Sequence, residues 1–149
     1  DGELEERHNP ETHLIPLTLL AALGKGAPLK VFGVDYPTDD GTAVRDYVHV
    51  SDLATAHLLA LRHILAGGEP LSLNLGTGRG LSVRQIISEV ERISGLTVPW
   101  IAAQRRVGDP PVLVGDGTAA REILGFSPQH SSLEEIVSTA IAGIRRLSA

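Results

Sequence analysis

The chain has 149 residues, enough for one domain with a buried core. Its formal net charge of −5 argues against a general nucleic-acid binder, so any anion site must be local. The lack of cysteine excludes disulfides and thiolate metal sites, and the six histidines show no zinc-protease spacing. The apolar runs are too short to cross a bilayer and the start is no signal peptide, so we expect a cytoplasmic protein without a membrane partner.

The first half of the chain predicts two helices and two strands. Pro16 suits the first turn of a helix that ends at Gly24. Short strands are expected at residues 29–32 and 47–50, with a polar loop between them. Ser51 is a good N-cap for the next helix. The expected inward face of that helix consists of Leu53, Ala56, Ala60, Leu61 and Ile64.

The second half continues the alternation. Residues 71–75 alternate as a strand, and capping boxes at Ser82 and Ser132 begin two further helices. Residues 98–102 are expected to form a strand. It contains a proline, which places it at a sheet edge. Residues 103–117 are expected to be loop, followed by a short helix. Alternating strands and helices indicate an α/β fold.

Two polar loops carry the chemistry that stands out. One contains Arg45, followed directly by Asp46, and the other contains Arg105 and Arg106, followed by Asp109. A guanidinium presents a planar fork of donors that matches phosphate oxygens two at a time. Two such groups could clamp a diphosphate while a nearby carboxylate accepts hydrogen bonds from sugar hydroxyls. The alternative is a pair of solvated loops with local Arg–Asp pairs.

The glycine-rich segment at residues 76–80 imitates a dinucleotide-binding loop. Leu81 stands where the third glycine belongs, and no acidic residue follows about twenty positions later. The alternative is that these glycines only let the chain turn tightly. Neither Tyr36 nor Tyr47 has a lysine four residues later, so we identify no catalytic residue.

Five segments carry a family pattern, at residues 11–16 (Glu-Thr-His-Leu-Ile-Pro), 31–42 (Val-Phe-Gly-Val-Asp-Tyr-Pro-Thr-Asp-Asp-Gly-Thr), 44–54 (Val-Arg-Asp-Tyr-Val-His-Val-Ser-Asp-Leu-Ala), 73–78 (Leu-Asn-Leu-Gly-Thr-Gly) and 105–111 (Arg-Arg-Val-Gly-Asp-Pro-Pro). These segments resemble bacterial UDP-glucose 4-epimerases (galactose epimerases), which are extended short-chain dehydrogenases/reductases. The resemblance covers nearly the whole chain, and the Asp-Tyr-Pro-Thr segment is its most specific part.

The resemblance implies the carboxyl-terminal, substrate-binding part of such an enzyme. Residues 1–149 would form one UDP-sugar-binding unit, and the strand near 71–75 would join the sheet of a Rossmann cofactor half that this sequence lacks. The first residues look like a loop entered midway, so we expect a fragment that is inactive alone. NAD would be the cofactor of the complete enzyme, a homodimer, and none is expected for this chain by itself.

The activity implied by the resemblance is the interconversion of UDP-glucose and UDP-galactose in galactose metabolism, through transient oxidation at C4 of the sugar. The implied substrate contacts are the backbone of Leu14, a uracil wall of Lys30, Val31 and Phe32, a diphosphate clamp of Arg45 and Arg106, the ribose acceptor Asp109, and the sugar-pocket boundary Leu113, where some members carry Tyr.

Two alternatives remain open at this point. One is another sugar-nucleotide enzyme of the same superfamily, such as an epimerase, decarboxylase or dehydratase, although the loop at residues 35–42 speaks against it. The other is a non-catalytic module that binds nucleotide sugars. The coding sequence upstream of residue 1 would discriminate between them, because the enzyme requires a dinucleotide loop and a Tyr-x-x-x-Lys pair there.

Overall fold

The computed structural model describes residues 9–146. Within this range helices and strands are interspersed along the chain, which confirms the α/β expectation. The helices are α1 (Leu14–Ala22), α2 (Val50–Leu65), α3 (Val83–Ser94), α4 (Thr118–Leu124) and α5 (Leu133–Arg146). The strands are β1 (Leu29–Phe32), β2 (Val44–Asp46), β3 (Gly80–Ser82), β4 (Trp100–Ala103) and β5 (Val112–Leu113). No helix in the described part of the chain is long and apolar enough to cross a membrane.

The strands form two small sheets. In the first, β1 pairs with β4 in parallel, from Leu29 opposite Trp100 to Phe32 opposite Ala103. In the second, β2 is central, antiparallel to β3 and parallel to β5. Two parallel pairs therefore occur in the same order along the chain, β1 before β2 and β4 before β5. The loop from β1 to β2 and the loop from β4 to β5 therefore begin at one pair of neighbouring strands and end at another.

The main hydrophobic core lies between β1 and three helices. Alternate residues of β1 point inward, so that Leu29 and Val31 are buried while Lys30 is exposed. The helices α1, α3 and α5 pack against one another over this strand. The buried members of the core are Leu19, Ala21, Leu29, Val31, Ile87, Val90, Val98, Val137 and Ile141.

Local capping signals place the ends of α3 correctly. Gln85 N donates to Ser82 Oγ at 3.1 Å, and Ser82 N donates to Gln85 Oε1 at 2.7 Å, which completes the expected capping box. Gly95 ends the helix in the left-handed conformation at φ 71°. The second box is half formed, because Glu135 N donates to Ser132 Oγ but the Glu135 carboxylate contacts His130.

The entry into α2 differs from the prediction. The strand expected at residues 47–50 lies earlier, at β2, and α2 begins at Val50 with His49 as its N-cap, not Ser51. Ser51 N donates to His49 Nδ1 at 3.0 Å. Burial lowers the pKa of His49 despite the opposing charges of Glu135 and Asp52, and the neutral ring keeps Nδ1 available as an acceptor.

The segment expected to be loop at residues 103–117 contains β5. Val112 and Leu113 pair with β2, and Val44 N donates to Pro111 O at 2.8 Å just before the strand begins. The preceding strand, expected at residues 98–102, runs from Trp100 to Ala103. It starts after Pro99, whose carbonyl accepts from Leu29 N at 2.9 Å, since proline itself has no N–H to donate.

The strand expected at residues 71–75 is not formed. A strand needs a hydrogen-bonded neighbour, and no strand of residues 9–146 pairs with this segment. The expected inward face of α2 is also only partly covered, since Leu61 and Ile64 are 54% and 49% exposed. One groove, which we call the apolar surface, is lined by the apolar side chains of Ala56, Ala60, Ile64, Leu71, Leu73, Leu75 and Leu124.

A buried carboxylate ties the start of α2 to the start of α5. Asp52 is 2% exposed and accepts from Gln129 N and His130 N at 2.9 Å each. It also accepts from Ser131 Oγ at 2.5 Å. Burial alone would raise the pKa of Asp52, but these hydrogen bonds outweigh it and the pKa is lowered. The carboxylate therefore stays charged and fully bonded.

Replacing Asp52 by Asn should destabilise the protein. The amide offers one acceptor oxygen instead of two, so at least one of the three donors loses its bond to this side chain. We expect the free energy of unfolding to fall by about 1–3 kcal/mol in chemical denaturation. The matched control is Asp39→Asn, the same change at an exposed carboxylate, for which stability should hardly change. Equal effects of the two variants would contradict the anchoring role of Asp52.

Candidate functional site

Two loops run side by side and bring several of the expected substrate contacts together. We call residues 33–43 the first loop and residues 104–111 the second loop. Their ends are fixed by the strand pairs, with Gly33 N donating to Ala103 O at 2.9 Å before them and Val44 N donating to Pro111 O at 2.8 Å after them. Side chains from the two loops and their flanking strands therefore contact one another, and we call the surface that they form the cleft.

The first cross-loop contact is an ion pair between Arg45 and Asp109. Arg45 NH2 donates to Asp109 Oδ1, and Arg45 NH1 donates to Val44 O at 2.6 Å. The side chains are only 22% and 28% exposed, so the pair is half-buried. Each partner comes from a different loop region, which excludes the local Arg45–Asp46 pair considered above. A charge-assisted contact of this kind fixes both side chains at one place.

The second contact places Arg106 on an aromatic ring. Its guanidinium lies 4.1 Å from the centroid of Phe32, within the range of a cation–π interaction. Phe32 follows the outward alternation of β1, so it shares a face with the exposed Lys30. Val31 points the other way and is 1% exposed inside the main core. The expected role of Val31 in a uracil wall is therefore restricted to its backbone.

The third contact involves residues that we did not assign from sequence. Arg105 Nε donates to Asp35 Oδ1 at 2.8 Å, and the Arg105 guanidinium lies 4.4 Å from the centroid of Tyr36. This hydrogen bond lowers the pKa of Asp35. The available signal was the Asp-Tyr-Pro-Thr segment, which the resemblance marked as specific without giving a reason. The structure supplies one, because this segment contacts Arg105 of the second loop.

The remaining expected residues lie at different distances from this cleft. Leu113 is the register partner of Arg45 on β5 and is 60% exposed, so it faces outward beside the ion pair instead of into a core. Leu14 begins α1, its side chain packs against the main core, and its carbonyl accepts from Thr18 Oγ1 at 2.7 Å. The structure thus brings four of the expected residues together as two contacting pairs, Arg45 with Asp109 and Arg106 with Phe32.

The glycine-rich loop at residues 76–80 already holds an internal anion. Thr77 N and Gly78 N each donate to Asp46 Oδ2 at 3.0 Å, and Gly115 N does so at 3.3 Å. A Cβ on Gly76 would lie 2.8 Å from the same oxygen, so glycine is needed for this close approach. The backbone donors that a pyrophosphate would use are occupied, although a cavity of about 380 Å³ lies next to this loop.

The cleft has the chemistry of a binding site. Two guanidinium groups, one carboxylate and one aromatic ring offer contacts to a phosphate, a hydroxyl pair and a flat base. Among residues 9–146 no group of three His, Cys, Asp or Glu side chains could hold a metal ion. Burial raises the pKa of Tyr47 to about 12, so this phenol beside the cleft stays neutral.

Comparison with known proteins gives concordant matches. A UDP-glucose 4-epimerase from Azospirillum brasilense is 51% identical over 136 residues, covering 91% of this chain and 39% of that protein. The crystal structure of a Brucella ovis UDP-glucose 4-epimerase in complex with NAD is 50% identical, with a TM-score of 0.91, over 95% of this chain and 44% of that one. A Bifidobacterium longum enzyme in complex with NAD⁺ and UDP is 32% identical, with a TM-score of 0.81, over 90% and 39%.

The matches define what is shared and how much of it. The chain spans about two fifths of the length of the relatives that it matches. The family model described as "NAD dependent epimerase/dehydratase family" matches residues 2–76, half of the chain. The resemblance inferred from the sequence motifs is thereby confirmed, and the chain belongs to the NAD dependent epimerase/dehydratase family.

Proposed function

We propose that the paired loops bind the nucleotide part of a UDP-sugar, and that the complete polypeptide carrying this chain interconverts UDP-glucose and UDP-galactose. The observation that carries the proposal is the meeting of Phe32, Arg45, Arg106 and Asp109 in one cleft. The similarity to UDP-glucose 4-epimerases along nearly the whole chain supports it. The proposed class of activity is therefore that of an isomerase.

Each contact has a proposed role in nucleotide binding. Arg45 and Arg106 donate to the diphosphate oxygens, because a guanidinium fork matches two oxygens at once. Asp109 accepts from ribose hydroxyls, and Phe32 packs against the uracil ring beside Lys30. These groups contact one another, with Arg45 on Asp109 and Arg106 over Phe32. Binding would exchange those internal contacts for contacts with the ligand.

NAD does not fit the described residues. The glycine-rich loop gives its backbone N–H groups to Asp46, and neither tyrosine of the sequence has a lysine four residues later. When bound in such enzymes, NAD supplies the oxidation and reduction of the sugar. We therefore assign the described residues to holding the nucleotide while that chemistry occurs elsewhere, and we derive no step through the cofactor.

The apolar surface indicates where a second half of the protein would pack. We propose that a Rossmann half covers α2 and pairs with residues 71–75, which would then become a strand of its sheet. The observations behind this proposal are the exposed Leu61 and Ile64 and the unpaired backbone of the segment. We also propose that the whole protein is a homodimer, that it is located in the cytoplasm and that it serves galactose metabolism.

The diphosphate clamp predicts the effect of removing either arginine. In the complete polypeptide, Arg45→Ala and Arg106→Ala should each weaken UDP binding by about 1.5–3 kcal/mol, the range for hydrogen bonds to charged groups. Isothermal titration with UDP measures this. Arg84→Ala is the matched control, because it removes the same charge from another place. The Arg84 guanidinium lies 5.3 Å from the centroid of Trp100, at the end of β4 away from the second loop. Unchanged UDP affinity in both site variants would remove the clamp.

The exposed Leu113 predicts a broad choice of sugar. Leucine is smaller than tyrosine, so the complete enzyme should accept UDP-N-acetylgalactosamine as well as UDP-galactose. Leu113→Tyr should lower kcat/KM for the N-acetyl substrate relative to UDP-galactose by about tenfold or more. Val112→Tyr is the control, since the neighbouring residue of β5 points to the opposite face and is also exposed. An unchanged ratio in Leu113→Tyr would show that Leu113 does not bound the sugar.

A further inference from the structure

Two adjacent arginines of the second loop contact different partners. Arg106 lies over Phe32, on the strand that leads into the first loop, at 4.1 Å. Arg105 instead reaches the first loop itself, with Nε donating to Asp35 Oδ1 at 2.8 Å and NH2 donating to Asp35 O. Its guanidinium is thus bonded to a side chain and to a backbone carbonyl of the same residue. That arrangement uses the donor fork of Arg105 internally.

Tyr36 gives this contact a rigid base. The ring is 5% exposed, and Tyr36 N donates to Gly41 O at 2.9 Å within the first loop. Arg105 lies over the ring at 4.4 Å from its centroid, and the Tyr36 hydroxyl donates to Asp109 O at 3.4 Å. One buried tyrosine therefore contacts both ends of the segment that carries Arg106.

Glycine at position 33 makes the stack possible. Gly33 has φ +81°, in the left-handed region, and a Cβ there would collide with the Tyr36 ring. The same Cβ would lie 2.9 Å from Arg105 Cγ. The backbone of Gly33, the ring of Tyr36 and the stem of Arg105 therefore pack together at a distance that no other residue type at position 33 permits.

An exposed ion pair alone contributes little to holding a loop. The side chains of Arg105 and Asp35 are 44% and 72% exposed, so their attraction is screened by water. The stack on the buried ring and the two-point bond to Asp35 distinguish this contact from such a pair. Ordering a binding loop before the ligand arrives reduces the entropy lost on binding.

We propose that Arg105 is a positioning residue, which with Asp35 and Tyr36 holds the second loop so that Arg106 and Asp109 face the nucleotide. This inference rests on the proposed function of the paired loops. Arg105 does not contact the ligand. The two arginines thus divide the work, one anchoring the loop and the other binding the diphosphate.

The test compares Arg105→Gln, Asp35→Ala, their double variant and Arg106→Gln in the complete polypeptide, with Arg84→Gln as the charge-matched control. Two quantities are measured for each, the UDP dissociation constant by titration and the amide hydrogen exchange of residues 104–109 without ligand. Arg105→Lys is added as the mildest change, because it keeps the charge but loses the planar fork.

We expect Arg105→Gln, Arg105→Lys and Asp35→Ala each to raise the UDP dissociation constant roughly threefold and to speed exchange in the second loop. The double variant should be no worse than Arg105→Gln, since both changes remove one interaction. Arg106→Gln should raise the dissociation constant by about tenfold or more and speed loop exchange less than Arg105→Gln does, since it removes one ring contact but no bond to Asp35. Arg84→Gln should alter neither quantity.

Other results overturn the inference. If Arg105→Gln weakens UDP binding without speeding loop exchange, and Asp35→Ala leaves UDP affinity unchanged, Arg105 contacts the ligand directly. If Arg105→Gln changes neither the UDP dissociation constant nor the loop exchange, Arg105 does not position the second loop. Absence of UDP binding by the unaltered protein would refute the proposed function and with it the role of Arg105 in binding. Loop exchange would then still show whether Arg105 anchors the second loop.

Discussion

The contacts of the cleft depend on the parallel pairing of β1 with β4 and of β2 with β5. Because the first loop joins β1 to β2 and the second joins β4 to β5, both loops start and finish beside each other. Residues far apart in sequence, such as Arg45 and Asp109, meet as a result. The main core supports this arrangement from below, since Val31 of β1 is buried there while its neighbour Phe32 faces the cleft.

Two of the three arginines at the paired loops form an ion pair with a carboxylate, and the third lies over an aromatic ring. The chain has a net charge of −5, yet three arginines lie at the paired loops. Asp109 neutralises Arg45, Asp35 neutralises Arg105, and Phe32 receives Arg106. A guanidinium over an aromatic ring keeps more of its donors free than one bonded to a carboxylate. Arg106 is therefore the group best prepared to contact an arriving phosphate, and Arg105 the one least able to leave its partner.

Local signals in the sequence predicted that the helices exist, but they did not predict every helix end or the strand pairing. The capping box at Ser82 and the glycine at position 95 act within a few residues, so they predicted α3 correctly. The N-cap of α2 was wrong because His49 works as a cap only where it is buried and neutral. The two-residue strand β5 and the unformed strand at residues 71–75 both depend on distant neighbours. Cross-loop partners of the arginines were hidden for the same reason.

A crystal structure of the complete polypeptide with UDP would examine the paired loops most directly. We expect diphosphate oxygens within hydrogen-bond distance of Arg45 and Arg106, uracil against Phe32, and ribose hydroxyls on Asp109, while Arg105 remains on Asp35 and Tyr36. UDP bound elsewhere, for example in the cavity beside Gly76, with the Arg45–Asp109 and Arg106–Phe32 contacts intact, would contradict the assignment of these loops to nucleotide binding.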